Sequence, residues 1–237
     1  MSEHMALENL TVLDLTRVLA GPFCTMMLAD MGANVIKIEV PKGGDDTRSY
    51  PPFRAKNLNG ERESVYFANI NRNKKGITLN LKAPEGKEIF KELVKKADIV
   101  VENYRPGVMD KLGLGYDVLK EINPRIIYAA VSGFGCYGPY HLRPGYDILA
   151  QAMGGMMSIT GSKGGEPTRA GSALGDILGG LHVTIGILAA VNARTITGKG
   201  QRVDVSLMDS MIAATENTAL KLSLIHISEP TRRRGIS

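Results

Sequence analysis

Short apolar runs alternating with helix-like stretches constrain this chain more than any other feature. Residues 11–15 read T-V-L-D-L, 34–40 N-V-I-K-I-E-V, 77–81 I-T-L-N-L, 98–102 D-I-V-V-E and 125–131 R-I-I-Y-A-A-V. Residues 202–206, R-V-D-V-S, make a sixth. These runs predict strands buried on both faces, because they are nearly continuous rather than alternating with polar residues. Between them lie predicted helices at 23–31, from Pro84 to about 96, around 109–112, at 116–122 and at 146–157. A long apolar helix follows over 178–196, and another over 208–220. The order implies an α/β fold: a Rossmann-like, mainly parallel sheet with helices on both faces. In such a sheet ligands bind at the carboxyl ends of the strands. The loops at 17–22, 103–107 and 132–139 lie at those ends.

The first strand–turn–helix–strand unit lacks a dinucleotide fingerprint. G-x-G-x-x-G is required after the first strand, and only Gly21 stands there, which argues against a dehydrogenase. The chain has 237 residues and a net charge of +5, of which residues 222–237 contribute +2. A body that close to neutral gives no footprint for nucleic acid. Cys24 and Cys136 cannot build a disulfide framework and have no metal-ligand neighbours at short spacing. No leader is read at the start and no apolar run is read as spanning a bilayer, so a cytoplasmic protein without membrane contact is expected.

Residues 167–190 carry the sharpest chemical signal. Asp176 is their only carboxylate, preceded by Gly171, Ser172, Ala173 and Gly175 and followed by an apolar helix. Taken alone, it reads as a cap on the first helical turn. The alternative is a nucleophile, kept ionised by the helix dipole, with the glycines leaving room for a bulky substrate.

Taken together, the motifs resemble class III CoA-transferases, the group of formyl-CoA:oxalate and carnitine CoA-transferases (CaiB/BaiF type). The matching strings are V-L-D-L-T-R-V-L-A-G-P, G-A-N-V-I-K-I-E, G-D-D-T-R, N-R-N-K-K, D-I-V-V-E-N-Y-R-P-G and K-L-G-L-G-Y. They continue with N-P-R-I-I-Y-A, S-G-F-G-x-x-G-P, G-Y-D-I-L-A-Q-A, G-D-I-L-G-G-L-H and T-G-K-G-Q-R-V-D-V-S-L, in order over 7–209. The resemblance implies that Asp176 attacks an acyl-CoA thioester and that CoA passes to a small carboxylate, oxalate or a short dicarboxylate. It further implies coenzyme A and acyl-CoA as substrates, with no permanently bound cofactor and no metal. Carried over by position, Val18, Leu19 and Ala20 lie against the adenine and pantetheine, and Leu79 and Lys82 near the nucleotide. Asn103, Tyr104 and Arg105 follow the fourth strand, Lys111 and Arg143 meet phosphates, and Tyr146 lies near the acyl site. Where some relatives carry Arg, this chain has Val40, so Lys42 or Arg48 is expected to substitute. Leu19 stands where formyl-CoA enzymes often have Gln, which argues against a strict formyl-CoA enzyme.

Other readings stand beside these. Lys82 and Lys111 also read as solvated helix-end charges, and Arg72, Lys74 and Lys75 as a charged turn. Tyr146, Met156 and Met157 also read as core packing, Asn103 as a strand terminator and His182 as a core or interface histidine. For function, the alternatives are a 2-methylacyl-CoA racemase of the same family and a non-catalytic CoA-binding module. The family continues into a small domain and forms interlocked homodimers. Residues 1–221 are accordingly expected to be an incomplete large domain without the small one. The string 222–237 is expected to be a non-native tail, resembling an in-frame translation of a sequencing adapter. A fragment of this kind is expected to be inactive or aggregation-prone.

Overall fold

The structure is a computed structural model that describes residues 4–54, 60, 62–162 and 164–218. Its centre is a six-stranded sheet: β1 (Thr11–Asp14), β2 (Asn34–Glu39), β3 (Lys75–Thr78), β4 (Ile99–Glu102), β5 (Ile127–Ser132) and β6 (Arg202–Ser206). The strand order is β3-β2-β1-β4-β5-β6 and every pairing is parallel. This is the doubly wound order whose direction reverses between β1 and β4. The expected Rossmann-like architecture is therefore present.

Alternation along the strands divides the core. Val12, Ile99, Val101, Ile127 and Val131 face one cluster, which holds α1 (Ala20–Asp30), α6 (Asp147–Met153), α7 (Leu174–Thr197) and α8 (Leu207–Ala214). Leu13, Val100, Tyr128 and Ala130 face the other, under α3 (Pro84–Val94), α4 (Val108–Leu112) and α5 (Tyr116–Ile122). The short α2 (Val65–Ile70) precedes β3.

Several boundaries differ from expectation. The third strand is Lys75–Thr78 rather than 77–81, and all four of its residues are exposed. It is an edge strand, and the apolar signal belongs to Leu79 and Leu81, which leave the sheet to pack with Phe90 of α3. α1 begins at Ala20, not at 23, because Pro22 in its first turn lacks only an N–H that would have no partner anyway. The helix expected over 146–157 stops at Met153 and resumes as a 3₁₀ turn at Met156–Ile159, with Gly155 left-handed at φ 85°. α8 ends at Ala214, followed by Glu216 at φ 54°. The predicted tail at 222–237 lies outside the described residues.

α7 corrects one further expectation. It has 24 residues, and an 18-residue window within it has a mean hydropathy of 1.8, long and apolar enough by length and composition to cross a membrane. Here it packs on α1, α8, β5 and β6 instead. Gly179 and Gly180, which follow Asp176, serve that packing. A Cβ on Gly180 would stand 2.8 Å from the Ala20 carbonyl of α1, and one on Gly179 would stand 2.4 Å from Leu207. Both are below van der Waals contact, so only glycine allows α7 to lie this close.

Candidate active site

At the carboxyl ends of the strands, loops 16–19 after β1, 103–106 after β4 and 133–146 after β5 surround a cavity of about 340 Å³. The first residues of α1 and α7 close it, and it lies at the reversal point of the strand order, where such sheets bind ligands. Nine of the sequence-predicted site residues line it together: Val18, Leu19 and Ala20; Asn103, Tyr104 and Arg105; Arg143 and Tyr146; and Asp176. Leu79, Lys82 and Lys111 do not. Leu79 packs into the second core cluster, and Lys82 and Lys111 are exposed away from the cavity.

The loop after β1 brings its backbone to the cavity. Asn103 is more than a strand terminator: its Oδ1 accepts from the Arg17 N–H at 2.9 Å and its Nδ2 donates to the Arg17 carbonyl at 2.7 Å. Sequence reasoning missed Arg17 itself, which lines the cavity and pairs with Asp46 at 2.9 Å. α1 then starts with no side-chain cap and no acidic residue in its first turn. Its N-terminal N–H groups and dipole thus favour an anion. Exposed Arg105 and Arg143 add positive charge, with Arg143 stacked 4.3 Å over the Tyr140 ring. Tyr146 is 69% exposed, which overturns its reading as core. Arg48 is not free to replace the missing Arg at Val40. Its guanidinium forks onto Glu39 at 2.8 and 2.7 Å and lies 3.7 Å over Phe67.

Asp176 is the third residue of α7, not its cap. The Gly175 N–H is taken by Asp147, whose Oδ1 accepts it at 2.8 Å. Gln151, one turn along α6, is fully buried and donates to Asp147 Oδ2 at 2.8 Å. Its Oε1 accepts from the Ala170 N–H at 2.9 Å, so α6 staples the approach to Asp176 at both ends. The Asp147–Gln151 pair was missed as site architecture, although the i, i+4 spacing of two polar residues in G-Y-D-I-L-A-Q-A was its signal.

Burial and a like charge set the electrostatics of Asp176. Burial pushes its carboxyl up to about 6, and the neighbouring charge of Asp147 adds to the rise. At neutral pH Asp176 is largely ionised and more basic than an ordinary aspartate, as suits a nucleophile. Burial also pushes the α2 Tyr66 hydroxyl up to about 12, with the Asp176 charge the next contribution.

No histidine lines the cavity among the described residues. His182 is exposed on α7 rather than buried, with its Nδ1 2.9 Å from the Leu178 carbonyl. Burial pushes the thiols of Cys24 and Cys136 up to about 12, which makes both poor nucleophiles.

Comparison with known proteins places this geometry. The chain is 47% identical over 234 residues to the succinyl-CoA:mesaconate CoA-transferase of Haloarcula marismortui, covering 96% of this chain and 58% of that protein. It is 48% identical over 214 residues to the acetyl-CoA:oxalate CoA-transferase of Acetobacter aceti, covering 90% of this chain and 54% of that protein. The crystal structure of a CAIB/BAIF family protein from Brucella suis superposes with a TM-score of 0.88 at 44% identity, covering 92% of this chain and 57% of that one. The chain spans about half the length of the curated relatives it matches. The model of CoA-transferase family III matches residues 7–235, and the chain belongs to that family.

Proposed function

We propose that this chain carries the nucleophile and much of the CoA site of a CoA-transferase that moves CoA from an acyl-CoA to oxalate or a short dicarboxylate. One observation carries the reading. A half-buried carboxylate with a raised pKa shares its cavity with Arg17, Arg105, Arg143 and an uncapped helix N-terminus. CoA supplies the matching chemistry, a thioester at one end and phosphates at the other.

In the first step an Asp176 carboxylate oxygen attacks the thioester carbonyl. The C–S bond breaks, giving an acyl-aspartyl anhydride and CoA thiolate. The thiolate then attacks Cγ of Asp176, releasing the donor acid and leaving an aspartyl-CoA thioester. The acceptor carboxylate attacks that carbon and frees the thiolate again, leaving a mixed anhydride. Thiolate attack on the acceptor's carbonyl regenerates Asp176. Each step exchanges one acyl bond for another and needs no redox partner. Both anhydrides must be kept from water. The named relatives act on mesaconate and oxalate, which supports a small acid with two carboxylates as acceptor.

The test is chemical trapping. The protein is incubated with succinyl-CoA, reduced with borohydride and digested for mass spectrometry. Reduction is expected at Asp176 and absent in Asp176→Asn. Exchange of the substrate's α-hydrogen for deuterium, with no modification of Asp176, would establish the racemase instead. CoA binding with neither result would overturn the transferase reading for this chain by itself and favour the binding module.

A further inference from the structure

We propose that the buried Lys37–Asp45 pair is a positioning device: it holds the Arg17–Val18–Leu19 turn in the shape that receives CoA. The inference rests on the CoA-transferase reading above and adds two residues that do not touch the cavity.

Val18 has φ 68°. A β-branched residue in the left-handed region persists only where its surroundings over-determine it. The surroundings here are charged groups withdrawn from water. Lys37 lies on β2, where its side chain is 2% exposed, and its Nζ donates to the Thr16 carbonyl at 2.8 Å. Asp45 Oδ1 accepts from the Val18 N–H at 3.2 Å, and also from the Thr47 N–H at 3.0 Å and hydroxyl at 2.8 Å. Lys37 Nζ stands 3.0 Å from Asp45 Oδ2, an ionic contact set off the line of a hydrogen bond. The Asp45 backbone is fixed in turn, its N–H donating to Glu39 at 2.9 Å. Peptide groups on both sides of Arg17 are thus held by one ion pair, and Val18 is left no ordinary conformation. Burial pushes the Asp45 carboxyl up, but the Lys37 charge and the Thr47 hydrogen bonds outweigh it and hold it below the usual carboxylate range.

A buried ion pair does not stabilise a fold better than a well-packed apolar pair of the same size. Its presence on an inner strand calls for another role, and its contacts run to the turn whose residues line the cavity.

The test compares the wild-type chain, Lys37→Met/Asp45→Leu and the same double variant with Val18→Gly. CoA affinity is measured by calorimetry and amide hydrogen exchange at Val18 by NMR. The double variant leaves no charge unpaired. It also loses the hydrogen bonds to Thr16, Val18 and Thr47, so it is expected to stay folded with a somewhat lower melting temperature, to bind CoA about tenfold more weakly, about 1.4 kcal/mol, and to exchange faster at Val18. Adding Val18→Gly is expected to recover most of the affinity, because glycine adopts the turn without strain. A folded double variant with unchanged CoA affinity and unchanged Val18 exchange would overturn the proposal. So would failure of the glycine to restore binding. If the double variant does not fold, Val18→Gly alone decides: relief of strain is expected to raise the melting temperature, and a lower one removes the premise. A wild-type chain that does not bind CoA defeats the CoA-transferase reading, and the exchange at Val18 still decides the clamp.

Discussion

Two aspartates, one buried at the end of β1 and one lining the cavity from α7, show what this fold does with buried charge. Asp14, at the end of β1, is fully buried, and burial alone would push its carboxyl up. Lys74 at 3.0 Å, the more distant Lys37 and hydroxyls of Thr16 and Thr25 at 2.5 and 2.7 Å reverse that and hold it below its usual range. Asp176 on α7 is less buried, yet its carboxyl is pushed up to about 6 by burial and the charge of Asp147, with no cation of its own to reverse them; the nearby Arg169 pairs with Asp147 at 3.5 Å instead. Depth does not separate the two. Compensation does, and it divides a structural carboxylate from one left free to react.

The strongest way to break this contrast is to remove the compensation. Lys74 is 2% exposed and spends all its hydrogen bonds internally, on Asp14, the Pro22 carbonyl at 3.0 Å and Asn71 at 2.9 Å. Lys74→Met keeps the stem and strands the Asp14 charge. A loss of about 3–5 kcal/mol is expected in urea denaturation at pH 7. A loss below about 1 kcal/mol would mean that the threonine hydroxyls alone hold Asp14, and the distinction between the two aspartates would fall.

The opposite change at Asp176 should stabilise. The Asp176 carboxyl titrates near 3.8 when unfolded and near 6 when folded, so the folded state binds the proton more tightly. Its ionisation therefore costs stability progressively as pH rises from about 4 to 6, and fully above that. Asp176→Asn removes the cost and is expected to raise stability at pH 7 by about 1–3 kcal/mol, a gain that vanishes below pH 4. Acyl transfer should be lost at every pH. In the wild type, the rate of aspartyl-CoA formation should rise through pH 6 to a plateau, as the nucleophile ionises. A gain in stability that did not depend on pH would show that Asp176 is held by something other than its charge.

Legibility in the sequence followed the same division. The sheet was readable because inner parallel strands buried on both faces need continuous apolar runs, and β1, β2, β4 and β5 fall where such runs lie, whereas β6, at one edge, alternates as R-V-D-V-S. β3 was misplaced because an edge strand needs no apolar face, and all its residues are exposed. Asp176 was readable as the one carboxylate in an apolar segment. Its raised pKa was not, because Asp147 lies 29 positions earlier and only the fold brings α6 to the start of α7. Lys74 was taken for part of a charged turn, since nothing local distinguishes it from exposed Lys75. Lys37 did leave a trace: a lysine inside N-V-I-K-I-E-V contradicts a strand buried on both faces unless something pairs it.

A third carboxylate, Glu102, lies between the two cases and offers the finest test. It ends β4, 7% exposed, and hydrogen bonds satisfy it, the Tyr104 N–H at 2.7 Å and the Tyr128 hydroxyl at 3.1 Å, with the charge of Arg202 a smaller contribution and no cation paired to it directly. Burial pushes it up to about 7 against those bonds. If cations are what matter, Glu102 should behave like Asp176, and its ionisation should cost stability as pH rises from about 4.5 to 7. Glu102→Gln resembles the protonated form, but its single oxygen must serve two donors, which offsets part of the gain. The variant is expected to be about 1 kcal/mol more stable than wild type at pH 8.5 and no more stable at pH 5. Measured across that range by thermal unfolding, a difference that stayed constant would place Glu102 with Asp14. It would also show that two well-aimed hydrogen bonds compensate a buried carboxylate as fully as a lysine does.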